Sequence, residues 1–336
     1  MQRKTGTFST MLILAILSLV LTAGCGGKEA QPKAGKLVIK AAHTTSTDYP
    51  YQIGFEAMAK ALQEKTKGAI DMQVFPNGQL GGNEREVVEA LQLGNVTLTV
   101  VNGAVISNFT PKADVFNLPF IFRDLQHLYK AVDGEPGQVI AKELEAKNLK
   151  VLAWYVNPDR HMFANKPIVK LADIKGMKIR VTQSPVSIKT FTALGALPTP
   201  MAYGELYSGL QQGVVDGAEN DWFGIRGMKF YEVSKHISLT GHFMVACPVM
   251  VNLKWFNGLP AEQQKAIQEA ANEGRDAMRK YLDVELKKVE ADVVSKGGVV
   301  HKVSDIEAFR AAVQPVYTEF EPVIGKDLID KVKAIQ

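Results

Sequence analysis

Two side chains suited to gripping an organic anion stand in the segment 176–222, GMKIRVTQSPVSIKTFTALGALPTPMAYGELYSGLQQGVVDGAENDW: the guanidinium of Arg180 and the carboxamide of Asn220. A guanidinium offers a planar fork of donors that matches two carboxylate oxygens in one orientation, and an amide both donates and accepts. Lys178 to Val181 alternates with period two, Ile179 and Val181 on one face, Lys178 and Arg180 on the other. Ser184 followed by Pro185 reads as an N-cap and first helical residue, so Arg180 falls at the carboxyl end of a strand just before a helix. In an open α/β sheet that edge is where ligands bind. The helix ends at Gly195, Pro198 to Met201 cannot continue it, and a second helix around Tyr203 to Gln212 shows Leu206 and Leu210 on one face. GVVDGAEN then supplies a turn and a short strand that carries Asn220 to the same kind of edge. On the residues alone, Arg180 is equally well a surface or salt-bridged arginine on a strand.

Other residues join these by position. Val96 to Val101 reads as a strand ending at Asn102-Gly103, which makes Asn102 a candidate ligand contact. His43 follows the first strand and is a candidate to face the crevice. Asp221 and Trp222 follow Asn220; Trp222 offers an apolar face to the C–H side of a sugar or, alternatively, packs its helix onto the sheet. Motifs for catalysis are absent: there is no H-E-x-x-H, C-x-x-C, G-x-S-x-G or EF-hand loop, and GQLGGNERE satisfies neither phosphate-loop pattern. His127, His236 and His301 are expected to be structural or on the surface. No metal and no cofactor is expected, and no enzymatic activity, because a lyase would need a base and an acid converging on its substrate and no such pair stands out.

The 336 residues, 46% hydrophobic and 22% charged, describe ordinary globular chain with material for one large or two medium domains. The start differs. Arg3 and Lys4 precede an apolar run from Met11 to Leu21, followed by Leu21-Thr22-Ala23-Gly24-Cys25, the pattern of a lipoprotein signal peptide over residues 1–24 with Cys25 lipidated. Ordinary signal cleavage nearby is the alternative. The run is too short to span a membrane. Its removal takes two positive charges from a net +4 and leaves +2, which argues against nucleic acid as a partner. Residues 25–35, small and polar, read as a flexible tether, and Cys247 in MVACPVMV reads as a small buried apolar residue.

Stepping along the chain, Leu37 to Ala42 reads as a buried strand, and Phe55, Met58, Ala59 and Leu62 as the apolar stripe of a helix. Ile70, Met72 and Val74 alternate as a strand, and Asn83 with Glu86 matches a capping box opening a helix closed by Gly94. This alternation is that of an α/β domain with a largely parallel sheet. Phe116, Leu118, Phe120 and Phe122 are expected in core packing. Leu149 to Tyr155 reads as a strand that Asn157-Pro158-Asp159 breaks, the first crossing between domains, with Val245 to Leu253 as the returning strand. Ala261 to Val294 forms one long polar helix, about 45 Å over thirty residues.

KIRV, then LGALPTPM, then ELYSGLQQGVVDGAEN, together with FPNGQLGGNEREVVEALQLG, FNLPFIFRD and FYEVSKH, closely resemble the solute-binding receptors of TRAP (tripartite ATP-independent periplasmic) transporters, dicarboxylate-receptor type. The resemblance covers nearly all of the chain after the signal. It implies a two-lobed periplasmic-binding-protein fold of the α/β class, a ligand cleft between the lobes and the long helix spanning both. Lobe I would hold 36–157 plus 246–285, and lobe II 158–245 plus 286–336. It implies a bidentate salt bridge from Arg180 to a ligand carboxylate, and a second arginine, Arg160, lining or gating the site; on the residues alone Arg160 is a hinge residue bonding carbonyls. Asp221 replaces the proline the family very often has there, and with Trp222 it favours a sugar acid over a plain C4-dicarboxylate. The expected partners are that small organic acid, TRAP-type permease subunits and a membrane reached through the lipid anchor, with the receptor a monomer outside the cytoplasm. An extracytoplasmic lyase and a receptor feeding a membrane sensor are the alternatives.

Overall fold

The computed structural model describes residues 36–336; the expected signal peptide and tether, with Cys25, lie outside the described residues. The chain opens with β1 (Leu37–Ala42), α1 (Pro50–Lys65), β2 (Ile70–Phe75), α2 (Glu84–Leu93), β3 (Leu98–Val100) and the single turn α3 (Gly103–Ile106). The α1 stripe is as the sequence reads: Phe55, Met58 and Leu62 are fully buried. Asn83 caps α2 by accepting from the Arg85 N–H at 3.0 Å, and Gly94 closes it at φ +84°, a left-handed position where glycine carries no steric cost. After α4 (Leu125–Asp133) and α5 (Glu135–Glu145) comes β4, Leu149–Ala164.

Here the sequence reading is corrected. Asn157-Pro158-Asp159 does not end the strand; β4 runs on for 16 residues, and the proline is absorbed by register shifts against its partner between Asn157 and Arg160 and again between Arg160 and Met162. Bulges tolerate a residue that cannot donate to the ladder, which is how proline survives inside a central strand. The partner is β8, His236–Asn252, which starts earlier than the nonpolar run alone suggested.

Between them lie β5 (Lys178–Val181), α6 (Pro185–Ala193), β6 (Leu197–Pro200), α7 (Leu206–Gln211), β7 (Gly217–Asn220) and α8 (Trp222–Gly227). After α9 (Leu253–Asn257), α10 (Ala261–Ser295), β9 (Val299–Lys302), α11 (Ile306–Ala312), α12 (Gln314–Ile324) and α13 (Lys326–Ala334) complete the chain.

The sheet order is β2-β1-β3-β8-β4-β7-β5-β6, with β9 added beside β8. The two long antiparallel strands β4 and β8 serve two half-sheets. At one end β8 pairs with β3, beside parallel β1 and β2; at the other it pairs with β9, while β4 pairs with β7, beside β5 and β6. The result is a mixed α/β sheet in a two-lobed periplasmic-binding-protein fold. α10, 35 residues and about 52 Å long, packs on α1, β4 and α8 and so touches both halves. Its approach to α1 depends on Gly54 and Gly274: a Cβ on Gly274 would stand 2.6 Å from the Gly54 carbonyl and 2.7 Å from the Tyr155 hydroxyl. Phe116, Leu118 and Phe122 are buried as expected, Phe116 edge-on to Trp154 at 5.7 Å.

Candidate functional site

Four strands deliver their carboxyl ends to one cleft. β1 leads into Thr44 and Thr45, β3 into Asn102, β5 carries Arg180 just before its last residue and leads into Thr182, and β7 ends at Asn220; Tyr49, Tyr51, Glu84, Asn157, Arg160 and Tyr203 complete the wall. The confluence follows from topology, because the half-sheets meet where β4 and β8 pass between them and parallel strands on both sides point their C-terminal ends inward.

Arg180, only 3% exposed, donates from Nε and Nη2 to the Met201 carbonyl at 3.0 and 2.8 Å, and its guanidinium lies 5.9 Å from the Tyr203 ring centroid. Among the described residues no carboxylate comes within 4.0 Å of it. Burial pulls its pKa down, opposed by the more distant Glu219. Arg160 is different. Its Nε and Nη2 grip Glu219 Oε2 and Oε1 at 2.5 and 2.9 Å, Nη2 also reaches the Glu219 carbonyl at 3.1 Å, and Nη1 stands 3.6 Å from Asp221 Oδ2. Burial opposes its charge, but Glu219 outweighs burial and holds the guanidinium above its ordinary pKa. Arg160 therefore lines the cleft with its fork already filled.

Asn220 is placed by its neighbours: its Oδ1 accepts the Asp221 N–H at 2.9 Å and its Nδ2 donates to the Tyr203 hydroxyl at 3.1 Å. A Cβ on Gly224 would fall 2.3 Å from Nδ2, so only glycine leaves the amide its room. Asn102 caps α3, accepting from the Ala104 N–H at 2.9 Å, and donates its own N–H to Glu84 Oε1 at 3.0 Å.

The other three sequence candidates stand behind the wall. His43 is buried between Gln52 Oε1 and Thr45 Oγ1, each at 2.9 Å, and burial lowers its pKa to about 4. Asp221 caps α8, accepting from the Gly224 N–H at 3.0 Å and from the Tyr49 hydroxyl at 2.7 Å; burial raises its pKa against the pull of Arg160. Trp222 is buried edge-on to His161 at 5.7 Å, the packing alternative. Polar residues following strands have two destinations, the cleft or the helix cap beneath it, and sequence position alone does not choose.

Glu84 is the residue the sequence reading passed over. As first residue of α2 it looks like an ordinary first-turn acid. Its Oε1 accepts from Asn102 and, at 3.4 Å, from the Thr44 hydroxyl, and burial raises its pKa. Thr44, Thr45, Tyr49 and Tyr51 were reachable from the carboxyl-end rule applied to β1, and Tyr203 from its place after β6.

The family described as bacterial extracellular solute-binding protein, family 7 (DctP), matches residues 41–322. A solute-binding protein of Verminephrobacter eiseniae is 38% identical over 285 residues, 84% of this chain and 85% of that protein. The C4-dicarboxylate-binding periplasmic protein DctP of Vibrio cholerae is 34% identical over 98% of each chain. Among solved structures, a TRAP periplasmic solute-binding protein of Xanthobacter autotrophicus Py2 with bound β-D-galacturonate superposes with a TM-score of 0.85 at 35% identity, covering 89% of this chain and 100% of that one. No helix among the described residues is long and apolar enough to cross a membrane. The chain belongs to the extracytoplasmic solute-binding proteins of TRAP transporters, receptors for small organic acids rather than enzymes.

Proposed function

We propose that this receptor binds a monoanionic sugar acid through Arg180 and hands it to a TRAP-type permease while tethered to the membrane by lipidated Cys25. The observation that carries the ligand is that Arg180 and Glu84 line one cleft. Met201 occupies the Nε–Nη2 edge of Arg180, so the Nη1–Nη2 edge is the fork left for two carboxylate oxygens. The same wall holds one carboxylate, Glu84, and among the described residues no further unpaired cation: Arg160 is committed to Glu219 and Asp221. A second ligand carboxylate would meet Glu84 without a counter-charge, whereas hydroxyls can donate to Glu84 and exchange hydrogen bonds with Asn102, Asn220, Thr44 and Tyr203. The relative with bound β-D-galacturonate agrees with this choice, and the C4-dicarboxylate-binding relative supplies the competing one.

The lobes proposed to close around the ligand, as a monomer, are 36–157 plus 246–285 and 158–245 plus 286–336. Calorimetric titration with D-galacturonate, D-glucuronate, D-gluconate, succinate and L-malate tests the ligand assignment. The sugar acids should bind, and a dicarboxylate binding more tightly than all three would overturn it.

A further inference from the structure

Beside the ligand cleft lies a second, smaller chamber with room for about one water-sized group, and Asn102, Arg160 and Thr182 line both spaces. Its far walls are Ala104 of α3, Asn117, Ser187 of α6, Glu219 of β7, and Phe243 and Val245 of β8. Asn117 is 2% exposed and its amide orientation is determined by its surroundings. Its Nδ2 faces three acceptors, the Gly103 and Ala113 carbonyls and Asp114 Oδ1, at 3.3, 3.4 and 3.3 Å. A flipped amide would set an oxygen against three oxygens, so Oδ1 must be the atom turned the other way. That Oδ1 has no hydrogen-bond partner among the described residues.

A buried amide oxygen without a donor is unfavourable by roughly 1–3 kcal/mol, so Oδ1 calls for a donor small enough for the chamber, a water or a ligand hydroxyl. The chamber also defines that partner. Ala104, Phe243 and Val245 give it an apolar side, and the Glu219 carboxylate, already filled by Arg160, repels a second anion. A neutral carbon bearing a hydroxyl satisfies both conditions.

Resting on the sugar-acid reading, we propose that this chamber is a distal subsite that takes the hydroxyl-bearing end of the ligand remote from the Arg180-bound carboxylate, with a ligand hydroxyl donating to Asn117 Oδ1. The site then measures ligand length: a six-carbon acid places a hydroxyl in the chamber past the shared Asn102, Arg160 and Thr182 wall, and a four-carbon acid stops short of it.

Two experiments test this. A crystal structure of the parent protein with D-galacturonate or D-gluconate, whichever binds, should show a ligand hydroxyl within hydrogen-bond distance of Asn117 Oδ1; a chamber holding water alone overturns the proposal. Filling the chamber from opposite walls, with Ala104→Val and separately Ser187→Val, should weaken the six-carbon acids at least about tenfold while D-erythronate changes less than about threefold, with apo melting curves recorded alongside. Equal loss for both lengths, or no loss, overturns it. Absence of any sugar-acid binding by the parent is a different result and defeats the functional reading itself.

Discussion

Arg160 and Glu219 form a closed pair inside the protein: both side chains are nearly inaccessible, and the guanidinium fork meets both carboxylate oxygens, at 2.5 and 2.9 Å. The two arginines of the cleft are therefore not equivalent. One is a finished structural unit, and the other, Arg180, has no hydrogen-bond partner on Nη1 among the described residues.

Breaking a buried pair strands the surviving charge, typically at about 3–5 kcal/mol. Arg160→Ala should accordingly lower the melting temperature by on the order of 10 °C for a domain of this size. Differential scanning calorimetry of the apo protein checks it; a change within a degree would show Glu219 to be compensated elsewhere.

Arg180→Ala should leave the apo fold comparatively intact and weaken the sugar acid by about thirty-fold to several thousand-fold, the range for losing one partner of a desolvated charge pair of about 2–5 kcal/mol. Arg180→Lys should recover little, because an ammonium keeps the charge and loses the parallel donors. Titration showing the lysine variant as tight as the parent would contradict the fork.

Glu84→Gln keeps an oxygen for the Asn102 N–H but removes the charge facing the cleft. Succinate should gain on D-galacturonate by about tenfold or more in the ratio of their dissociation constants, as expected for removing one like-charge encounter of about 1–2 kcal/mol. An unchanged ratio would mean that Glu84 is neutral in the complex or does not face the ligand.

The proposed closure can be measured. Arg226 of α8 reaches Asp48, in the segment between β1 and α1, at 2.8 Å from Oδ2, while Tyr49 reaches Asp221 beneath it. Small-angle scattering should show the radius of gyration falling when ligand is added. Arg226→Ala should weaken the ligand by no more than about fivefold, since a pair that solvent still reaches at Asp48 contributes about 1 kcal/mol or less. A scattering profile indifferent to saturating ligand would speak against hinge closure.

Asp114 gives a pH signature. Burial raises its carboxyl to about 7 despite hydrogen bonds from Asn117 and Ser107. The folded state thus keeps a proton that the unfolded chain releases between about pH 4 and 7, so stability falls as pH rises through that window and then levels. His43, His161 and His242, lowered by burial to about 4, 3 and 3, act oppositely and cost stability as pH falls below about 6.5. They are common to the parent and Asp114→Asn, so the difference in melting temperature between the two isolates Asp114. The variant should gain on the parent between pH 5 and pH 8, and a difference independent of pH would reject the assignment.

Acylation of Cys25 is checked by metabolic labelling with an alkyne fatty acid. The tag should appear on the parent and vanish in Cys25→Ala, and its persistence in the variant would remove the lipid anchor from the proposed function.

The sequence by itself determined the local elements and the strand ends. Ser184-Pro185 opening α6, Asn83 and Gly94 bounding α2, and the period-two run carrying Arg180 to the end of β5 are decided by capping, backbone sterics and alternation, which act within a few residues. The cleft was legible to the same depth, since Arg180, Asn220 and Asn102 each follow from lying within two residues of a strand's carboxyl end. Tertiary structure decided which polar groups neutralise one another. That Arg160 is filled by Glu219 59 residues away, that Asp221 is held by Tyr49 172 residues away, and that Glu84 faces the cleft are outcomes of long-range approach. It also let β4 run through Asn157-Pro158-Asp159, because pairing with β8 across two register shifts outweighs the local preference of proline to end a strand. Electrostatic satisfaction in a low-dielectric interior depends on partners distant in sequence, and no spacing rule along the chain encodes it.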